Sequence, residues 1–383
     1  MIHLNKLYLC SLNFQVKNPV LNKDKTILIG LSGGVDSSVA AYILQQEGYR
    51  VIGVTMAIWD GKKLPVTPGG KHACYGPDEE EEIREARDIA GILRIPYEVF
   101  NCSGEYNKAV LDYFRNEYYA GRTPNPCVQC NQHIKFGLLP AMAEKKGYAY
   151  DYFATGHYAR VEQDASTGRY LLKKGVDRKK DQTYFIYRLT QQQLAKTMLP
   201  IGIYTKTRIK EIAREAGLPV YDKEESQDFY SGNYKDLLEH EPLQGKVVHT
   251  SGKVIGTHQG IWNYTIGQRR GMGIAWSEPL YVIRIEKETN TVVVGSREET
   301  FKTSFLINDL NWIGIEGLSS PMDVSIKIRS AQKEKDAFIE PYEDGVVKAT
   351  YFHPNDSITP GQSAVFYDGD VVLGGGIIND VTG

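Results

Sequence analysis

The pattern of apolar and polar residues divides the chain into two halves. Up to about residue 217, short apolar runs alternate with segments in which apolar residues recur every three or four positions. Beyond about residue 245 this helical spacing largely stops, and short β-rich runs lie between Gly, Asn, Asp and Pro. The first pattern is typical of α/β domains with a parallel sheet, and the second predicts small β modules.

The first half contains the clearest individual elements. Strands are predicted over 26–31, 51–58 and 152–155, and helices over 38–47, 105–118 and 207–216. Pro77 opens a further helix, whose glutamates at 79–82 face the positive end of its dipole and are expected to be solvated. Thr167-Gly168 indicates a hairpin turn, and Pro140 interrupts an otherwise helical pattern.

Length and composition limit the class of protein. At 383 residues the chain has room for two or three domains, at ~150 residues per domain. Its 45 basic and 47 acidic residues give a net charge of −2, which excludes a globally basic nucleic-acid binder but not a local basic patch. Five cysteines at irregular spacing do not fit a disulfide framework. Because no apolar run approaches the ~20 residues of a membrane span and no signal peptide is evident, we expect a cytoplasmic protein with no membrane partner.

The strongest candidate site is the turn SGGVDSS (residues 32–38), between the first predicted strand and the first predicted helix. Such a turn directs backbone N–H groups, hydroxyls and a helix N-terminus to one point, and therefore favours binding of a phosphate. Asp36 would repel that phosphate unless a divalent cation lay between them, so we infer Mg²⁺ with Asp36 as a ligand. The string matches neither a dinucleotide-binding nor a Walker-type pattern. A purely structural turn with good helix caps is the alternative.

A second candidate site is the C-x-x-C pair in RTPNPCVQC (residues 122–130). Two prolines are expected to stiffen a loop that presents Cys127 and Cys130. Arg122, Lys135 or a nearby helix start would lower a thiol pKa, so that Cys130 acts as a nucleophile or carries a persulfide. Two buried thiols or half of a zinc site are the alternatives, although the sequence has no second C-x-x-C. Packing is expected for the other cysteines, Cys10, Cys74 and Cys102.

Two basic segments are candidates for contact with nucleic acid. Arg269 and Arg270 lie in a Gly-bounded turn. Phosphate contacts by basic side chains would supply affinity for RNA, and a merely solvated charged surface is the alternative. The other segment holds five cations, Lys173, Lys174, Arg178, Lys179 and Lys180.

Several strings together resemble one family. The turn SGGVDSS resembles the PP-loop of ATP pyrophosphatases, which cleave ATP to AMP and pyrophosphate. From residue 26 to the C-terminus the chain resembles the tRNA-specific 2-thiouridylases of bacteria and organelles, which place sulfur on C2 of the wobble uridine of tRNA. The strings that carry this resemblance are SGGVDSS, GRTPNPCVQCNQHIKF, ATGHYAR, KKDQTYFIYRL, EESQDF, GTHQGIWNYTIGQRRGMGI and TPGQSAVFY. Residues 1–25 lie outside it, as an extension or a misplaced start.

The resemblance implies a fold and a reaction. The expected fold is a Rossmann-like α/β PP-loop domain of the adenine nucleotide alpha hydrolase type (26–225), a small central β-containing module that contacts tRNA (226–296) and a C-terminal β-barrel (297–383). ATP with Mg²⁺ would adenylate O2 of the uridine and release pyrophosphate, and sulfur carried on or delivered to Cys130 would then attack C2. The expected partners are tRNA, namely the Lys, Glu and Gln acceptors, and a sulfur-donor protein or sulfide source.

The resemblance also implies roles for particular residues. ATP would be held by Gly30, Leu31, Ser32, Gly33, Gly34, Val35, Asp36, Ser37, Met56 and Gly156. Asn125, Pro126 and Cys127 would lie beside the target base. Contacts to tRNA would come from His157, Lys180, Asp181, Gln182, Arg329, Ser330 and Gln362, in addition to Arg269 and Arg270.

The chain departs from the family pattern at one catalytic position. The family usually has a second cysteine shortly after the string that here reads Glu225-Ser226-Gln227-Asp228, and Tyr230 stands in that place. No cysteine follows Cys130 in the sequence. We hypothesise that Cys127 takes over as the redox partner of Cys130.

A rival hypothesis replaces the redox pair by an iron–sulfur cluster. Cys127 and Cys130 would hold the cluster, with Cys74, Cys102 or a group other than cysteine as a further ligand. Two other functions stay open: a PP-loop tRNA-modifying ligase that needs ATP but no thiol, and a non-catalytic tRNA-binding relict.

Overall fold

The computed structural model describes residues 24–62, 73–222, 228–230, 232–356 and 358–382. The expected extension over 1–25 therefore lies almost wholly outside the described residues, as do Cys10 and the stretch 225–227. The strands, in chain order, are β1 (Thr26–Gly30), β2 (Arg50–Ala57), β3 (Ala73–Tyr75), β4 (Tyr97–Asn101), β5 (Tyr152–Ala154), β6 (Ala159–Gln163), β7 (Tyr170–Lys174), β8 (Thr197–Met198), β9 (Asp228–Tyr230), β10 (Gly245–His249), β11 (Val254–His258), β12 (Tyr281–Glu286), β13 (Thr291–Gly295), β14 (Phe301–Trp312), β15 (Met322–Lys327), β16 (Lys335–Glu343), β17 (Val346–Asp356), β18 (Ser363–Asp368) and β19 (Val371–Thr382).

The helices are concentrated in the first half of the chain. They are α1 (Val35–Gln46), α2 (Glu79–Leu93), α3 (Ser103–Tyr106), α4 (Asp112–Tyr119), α5 (Pro126–Gln129), α6 (Leu139–Lys145), α7 (Thr183–Ile186), α8 (Gln191–Ala195) and α9 (Lys206–Glu215). Two π-helical segments, Asn107–Leu111 and Cys130–Leu138, join α3 to α4 and α5 to α6. Short 3₁₀ turns occur at Tyr234–Leu237, Ile261–Asn263 and Glu298–Thr300.

A five-stranded parallel sheet organises the first half. Its strand order is β4-β2-β1-β5-β8, with β1 in the middle. Ile27, Leu28 and Ile29 of β1 are fully buried, because the sheet is covered on both faces. The Rossmann-like α/β prediction is confirmed. Because the strands are parallel, the loops that follow β1, β2 and β5 meet at one edge of the sheet, where ligands bind in open α/β folds.

The second half is built from antiparallel strands and includes a closed barrel. The central region holds a four-stranded sheet in the order β11-β10-β13-β12. Strands β14-β17-β16-β15-β18-β19 then form a six-stranded ring that β14 and β19 close, so the predicted C-terminal β-barrel is confirmed. The hairpin β6–β7 extends this sheet, since Lys173 pairs with Val371 of β19. A strand pair from the first half therefore completes the sheet of the last part of the chain.

The C-x-x-C segment differs from its prediction. It was expected to be a loop, but α5, the π segment and α6 form one helical stretch from Pro126 to Lys145. Pro126 occupies the first helical position, where its missing N–H costs nothing, and the Asn125 side chain accepts from the Val128 N–H at 3.3 Å. The Asn-Pro pair therefore starts a helix rather than stiffening a loop.

Pro140 lies inside this helical stretch without ending it. A proline removes a backbone donor and crowds the carbonyl four residues earlier, here that of Phe136. The Phe136 carbonyl instead accepts a hydrogen bond from Nε2 of Gln193 at 3.1 Å, and the wider π turns of Cys130–Leu138 precede the proline. The predicted interruption is thus present as a local change of helix type.

Candidate active site

The glycine-rich turn connects β1 to α1 at the ligand-binding edge of the sheet. Helix α1 begins at Val35, three residues earlier than predicted, and no side chain caps its N-terminus. The Ser37 hydroxyl accepts from the Ser32 N–H at 3.2 Å and lies 3.2 Å from the Ser32 hydroxyl. The turn therefore holds two hydroxyls and a helix N-terminus in a compact arrangement suited to an anion.

A cavity of about 250 Å³ opens above this turn. Strand β2 contributes Met56, and the loop after β5 contributes Gly156 and His157. From the thiol-bearing helical stretch, Lys135 and Leu139 form part of the wall. The remaining residues of the wall are Gly30, Leu31, Ser32, Gly34, Val35, Asp36, Ser37, Val54, Thr55, Ile58, Cys74, Glu79, Glu82, Ile83, Thr155 and Gln182. Of the residues expected to hold ATP, all except Gly33 contribute to this wall.

Two glycines permit the close packing around the cavity. A Cβ on Gly156 would lie 2.6 Å from the backbone nitrogen of Ser37, so a side chain there would displace the turn. Gly33 has φ of 70°, and a Cβ on it would lie 2.8 Å from the Glu82 carbonyl oxygen. Gly33 thus shapes the turn from behind rather than facing the cavity.

Asp36 has charge partners that the sequence did not reveal. Its two carboxylate oxygens accept from Nζ of Lys206 at 2.8 and 2.9 Å, and one also accepts from the Tyr158 hydroxyl at 2.7 Å. Lys206 is the first residue of α9, 170 positions along the chain. Its ammonium neutralises the carboxylate, so a bound phosphate does not require a cation beside Asp36. The negative charge of Asp36 therefore does not by itself indicate a Mg²⁺ ion.

Burial shifts the pKa of two other titratable groups at the cavity. His157 is buried, its Nδ1 lies 2.7 Å from the Thr155 hydroxyl, and burial lowers its pKa well below 6.5. Glu79 accepts from the backbone N–H groups of Ile58 and Trp59 at 2.6 and 2.9 Å, and burial raises its pKa against the effect of these bonds. The expectation that the glutamates of α2 are merely solvated is therefore wrong for Glu79.

The thiol of Cys130 lies on the helical stretch that borders the cavity. It is half-buried, and burial raises its pKa to about 12, while the Lys135 ammonium acts in the opposite direction. Arg122, expected to activate it, instead forms an ion pair with Glu117, through Nε at 2.8 Å and through Nη2. Neither Cys127 nor Cys130 contributes to the cavity wall.

The remaining described cysteines differ from each other. Cys102 is fully buried, as expected, and its sulfur contacts Sδ of Met142 at 3.8 Å. Cys74, also expected to pack in the core, is exposed and lines the cavity. No pattern around Cys74 in the sequence announces this. Its strand β3 pairs with β9, which carries Tyr230 at the place where the family has its second cysteine.

Most of the cluster predicted to contact RNA is paired with carboxylates. Lys173 contacts Glu162 at 2.5 Å, and Arg178 contacts Asp370 at 2.5 Å. Lys174 is buried and forms an ion pair with Glu334. These three cations are therefore poor candidates for phosphate contacts, because carboxylates already neutralise their charges.

Several residues expected to meet tRNA instead make internal contacts. Nε2 of Gln362, on the barrel, donates to the carbonyls of Thr123 and Pro124 at 3.1 and 2.9 Å, and so supports the segment before Cys127. Asp181 accepts from the Thr183 hydroxyl at 2.8 Å, and Oε1 of Gln182 accepts from the Tyr158 N–H at 2.9 Å.

The other expected tRNA contacts vary in exposure. Arg329 is partly buried and donates to the Thr359 hydroxyl at 2.8 Å, while its neighbour Ser330 is exposed. Arg269 and Arg270 are both exposed, and Arg269 borders a second cavity of about 670 Å³ formed with the loop 271–280. Lys180 is partly exposed.

Neither a cluster of metal ligands nor a membrane-spanning helix is found in the part of the chain that the structure describes. There, no three His, Cys, Asp or Glu side chains are grouped as metal ligands, so the iron–sulfur hypothesis gains no support from the fold. No helix in these described ranges has both the length and the apolar character needed to cross a membrane.

Comparison with known proteins identifies the class. Residues 25–230 match the family described as tRNA methyl transferase HUP domain. Residues 235–296 match the tRNA methyl transferase PRC-barrel domain, and residues 302–378 match the Aminomethyltransferase beta-barrel domain. The chain is thus a HUP-domain protein whose α/β domain is followed by two β domains.

Curated relatives narrow this class to one family. Proteins named tRNA-specific 2-thiouridylase MnmA, from Endomicrobium trichonymphae and Clostridioides difficile, are 49% and 45% identical to this chain. These alignments cover 94% and 93% of this chain and 100% and 98% of the relatives. A protein of the same name from Acetivibrio thermocellus is 46% identical over 92% of this chain and 99% of its own length. The chain belongs to the tRNA-specific 2-thiouridylase family, which confirms the resemblance found in the sequence.

Proposed function

We propose that this protein uses ATP to replace O2 of the wobble uridine of tRNA with sulfur. One observation carries the proposal: the helical stretch that bears Cys130 also forms a wall of the glycine-lined cavity, through Lys135 and Leu139. Nucleotide activation and sulfur delivery would therefore occur side by side. The names of the curated relatives, tRNA-specific 2-thiouridylase, support the same reaction.

The turn 30–37 is proposed to hold the phosphates of ATP. Its backbone N–H groups and the N-terminus of α1 favour negative charge, and Ser32 and Ser37 offer hydroxyl donors. Met56 on β2 would contact the adenine, and Gly156 would let the nucleotide approach the turn closely.

Activation of the uridine requires charge compensation at the phosphates. Lys206 lies beside Asp36 at the edge of the turn, where its ammonium would add positive charge close to the phosphates. We propose that Mg²⁺ arrives on the phosphates of ATP and supplies further positive charge there, with Asp36 as a ligand that exchanges its contact with Lys206 for the metal. O2 of the uridine attacks the α-phosphorus, pyrophosphate leaves, and the O2–adenylate becomes a good leaving group.

Sulfur is proposed to reach C2 from Cys130. Burial keeps the free thiol protonated at neutral pH, because its pKa is raised to about 12. Lys135 favours the anionic form and would assist a bound sulfur anion beside the cavity. Asn125, Pro126 and Cys127 would lie next to the base, on the start of the same helical stretch.

The tRNA surface is proposed to extend over both β domains. Arg269 and Arg270 would contact phosphates, together with Lys180, Arg329 and Ser330 near the barrel. We further propose the Lys, Glu and Gln acceptors as substrates, a sulfur-donor protein as the source of sulfur, the cytoplasm as location, and boundaries near residues 225 and 296 between the three parts.

The decisive experiment is mass spectrometry of tRNA after incubation with the protein, ATP, Mg²⁺ and polysulfide, whose sulfane sulfur can pass to the Cys130 thiol without a further oxidant. We expect the exchange of one oxygen for sulfur at the wobble uridine, dependent on ATP. Cys130→Ser should abolish thiolation but retain tRNA-dependent pyrophosphate release. A modified tRNA product formed by Cys130→Ser would favour another PP-loop ligase. Absence of pyrophosphate release from the unmodified protein would favour a non-catalytic tRNA binder.

The surface proposal has its own test. Arg269→Glu with Arg270→Glu should weaken tRNA binding by at least about tenfold and reduce its salt dependence, because two phosphate contacts are lost. Arg84→Glu with Arg87→Glu, a double charge reversal at exposed positions of α2, is the matched control. Filter binding at several salt concentrations measures the effect, and equal affinities for both variants would mean that the two arginines are ordinary surface residues.

A further inference from the structure

Delivery of sulfur from a persulfide needs a second thiol. When the terminal sulfur of a Cys130 persulfide attacks C2, that sulfur is bonded both to the RNA and to Cys130. A thiolate that attacks Sγ of Cys130 breaks the S–S bond, and the electron pair passes to the sulfur on C2. This attack comes roughly in line with the S–S bond that breaks, so the second thiol must reach Sγ of Cys130 from the side opposite the sulfur bound to C2.

Two of the other described cysteines are poorly placed for this step. Cys102 is fully buried against Met142, and burial raises its pKa to about 12. Cys127 precedes Cys130 by about one helical turn and does not form part of the cavity wall. The hypothesis that Cys127 is the partner therefore requires a disulfide within one helix, away from the nucleotide.

Cys74 lines the cavity that the helical stretch bearing Cys130 also borders. On β3, Ala73 and Tyr75 are buried on one side, so the alternation of the strand turns Cys74 to the other side, where it lines the cavity together with Lys135. The strand is held by its pairing with β9 and by Tyr75, whose ring stacks on that of Tyr106 at 5.4 Å. Cys74 is thus an exposed thiol on a fixed strand.

The charge of Cys74 also acts on the Cys130 thiol. Negative charge on Cys74 raises the pKa of Cys130, an effect secondary to that of burial, and the Lys135 ammonium lowers it. The charges of Cys74 and Lys135 thus both act on the Cys130 thiol, and both side chains line the cavity. Lys135 and Leu139, which line the cavity with Cys74, lie on the same helical stretch as Cys130.

We propose that Cys74 is the second catalytic thiol of this chain and forms a disulfide with Cys130 as sulfur passes to the RNA. The inference rests on the proposed function. The sulfane sulfur is reduced as it becomes C2=S, AMP leaves with the electron pair of the C2–O bond, and the thiols of Cys74 and Cys130 are oxidised to the disulfide. A dithiol reductant then restores both thiols.

The direct test is a single turnover of the unmodified protein. The protein is loaded with polysulfide, freed of excess, and mixed with tRNA, ATP and Mg²⁺ without reductant. After acid quenching and alkylation, peptide mass spectrometry should find one Cys74–Cys130 disulfide for each thiolated uridine, and dithiothreitol should remove it. A Cys127–Cys130 disulfide, or thiolated tRNA with no disulfide, would overturn the assignment.

Variants provide a second test. Cys74→Ser should thiolate at least about tenfold more slowly than the unmodified protein in the single turnover, and thiolation should be impaired more than pyrophosphate release. Cys102→Ala, which removes a buried thiol away from the cavity, should match the unmodified protein in both assays. Thiolation by Cys74→Ser at the unmodified rate would overturn the proposal.

The proposed function and the role of Cys74 are disproved by different results. If the unmodified protein neither releases pyrophosphate nor thiolates tRNA, the proposed function is wrong and the thiol pair falls with it. If it thiolates tRNA through another disulfide, or if Cys74→Ser has full activity, the function stands and the role of Cys74 is rejected.

Discussion

Individual residues at the nucleotide turn depend on partners from remote parts of the chain. Asp36 lies in a turn that favours anions, and its negative charge is tolerated because Lys206 and Tyr158 both bind its carboxylate. Lys206 is mostly buried, so its charge is poorly screened by solvent. The pair sets the net charge that an incoming phosphate meets.

Removal of the Lys206 charge should impair nucleotide binding. In Lys206→Met, Asp36 is left without its cation beside the turn, and we expect at least about a tenfold rise in the Kd for ATP, together with a loss of about 3 kcal/mol in stability. Lys210→Met, one turn further along α9, is the control. Calorimetric titration and chemical denaturation measure the two effects. Unchanged ATP affinity in Lys206→Met would show that the ammonium does not act on the phosphates.

His157 should make stability fall at acid pH. Burial holds its pKa well below 6.5 in the folded protein, whereas the unfolded chain binds a proton near that value. As pH falls below about 6.5, the unfolded state gains protons first, and the free energy of unfolding should drop by up to about 1.4 kcal/mol per pH unit until the folded pKa is reached.

A comparison of variants isolates this histidine from other titrating groups. Denaturant unfolding from pH about 7.5 to about 5 should give a shallower slope for His157→Gln than for the unmodified protein. His353→Gln, at an exposed position, should keep the original slope. Identical slopes for the two variants would contradict the argument.

At the scale of elements, the helical stretch from Pro126 to Lys145 combines three unusual features. It starts at an Asn-Pro pair, passes through π turns and continues beyond Pro140. The Phe136 carbonyl, which lacks its usual partner because of the proline, is satisfied by Gln193 from α8. A neighbouring element thus stabilises the irregular geometry that positions Lys135 at the cavity.

The supporting contact can be tested without loss of the α8 cap. Gln193 also accepts from the Thr190 N–H at 2.9 Å, and Gln193→Glu keeps this acceptor while it removes the donor to Phe136. We expect a loss of about 1–2 kcal/mol in the free energy of unfolding, since a carbonyl loses its partner. Gln192→Glu, exposed on the same helix, controls for the added charge. Equal stability of the two variants in urea denaturation would contradict this account.

What the sequence predicted depends on how local the signal is. The strand before SGGVDSS and the hairpin at Gly168 followed from short patterns, and both are present. Lys206 and Cys74 were missed because their roles depend on chain segments that only the folded topology brings together. The helix at Pro126 had a local signal, the Asn-Pro start, which was read as loop chemistry instead.

At the scale of the whole molecule, the barrel contacts the segment that precedes the C-x-x-C pair. Besides the contacts of Gln362, the Thr123 N–H donates to the Pro360 carbonyl at 2.8 Å. A Cβ on Gly361 would lie 2.8 Å from the Thr123 carbonyl oxygen, so the two backbones touch. Residues of the C-terminal barrel therefore fix the segment that precedes the helical stretch from Pro126 to Lys145.

Loss of this contact should affect sulfur transfer more than nucleotide binding. In Gln362→Ala two carbonyls before that helical stretch lose their donor, and we expect the rate of thiolation to fall by about tenfold, with the Kd for ATP within about twofold. Gln163→Ala, on the exposed end of β6, is the control. Single-turnover thiolation and ATP titration measure the two quantities; a parallel loss of both would point to general destabilisation.

The pairing of Lys173 with Val371 has a consequence for biosynthesis. Strand β7 is synthesised long before its neighbour β19, which lies far downstream in the sequence. Until β19 is made, this edge of the hairpin has unpaired backbone donors and acceptors. Arg160 and Arg178 likewise lack the carboxylate of Asp370, with which both form ion pairs in the folded protein. A nascent chain stalled before residue 370 should therefore expose an unpaired strand edge that is prone to aggregation unless a chaperone covers it.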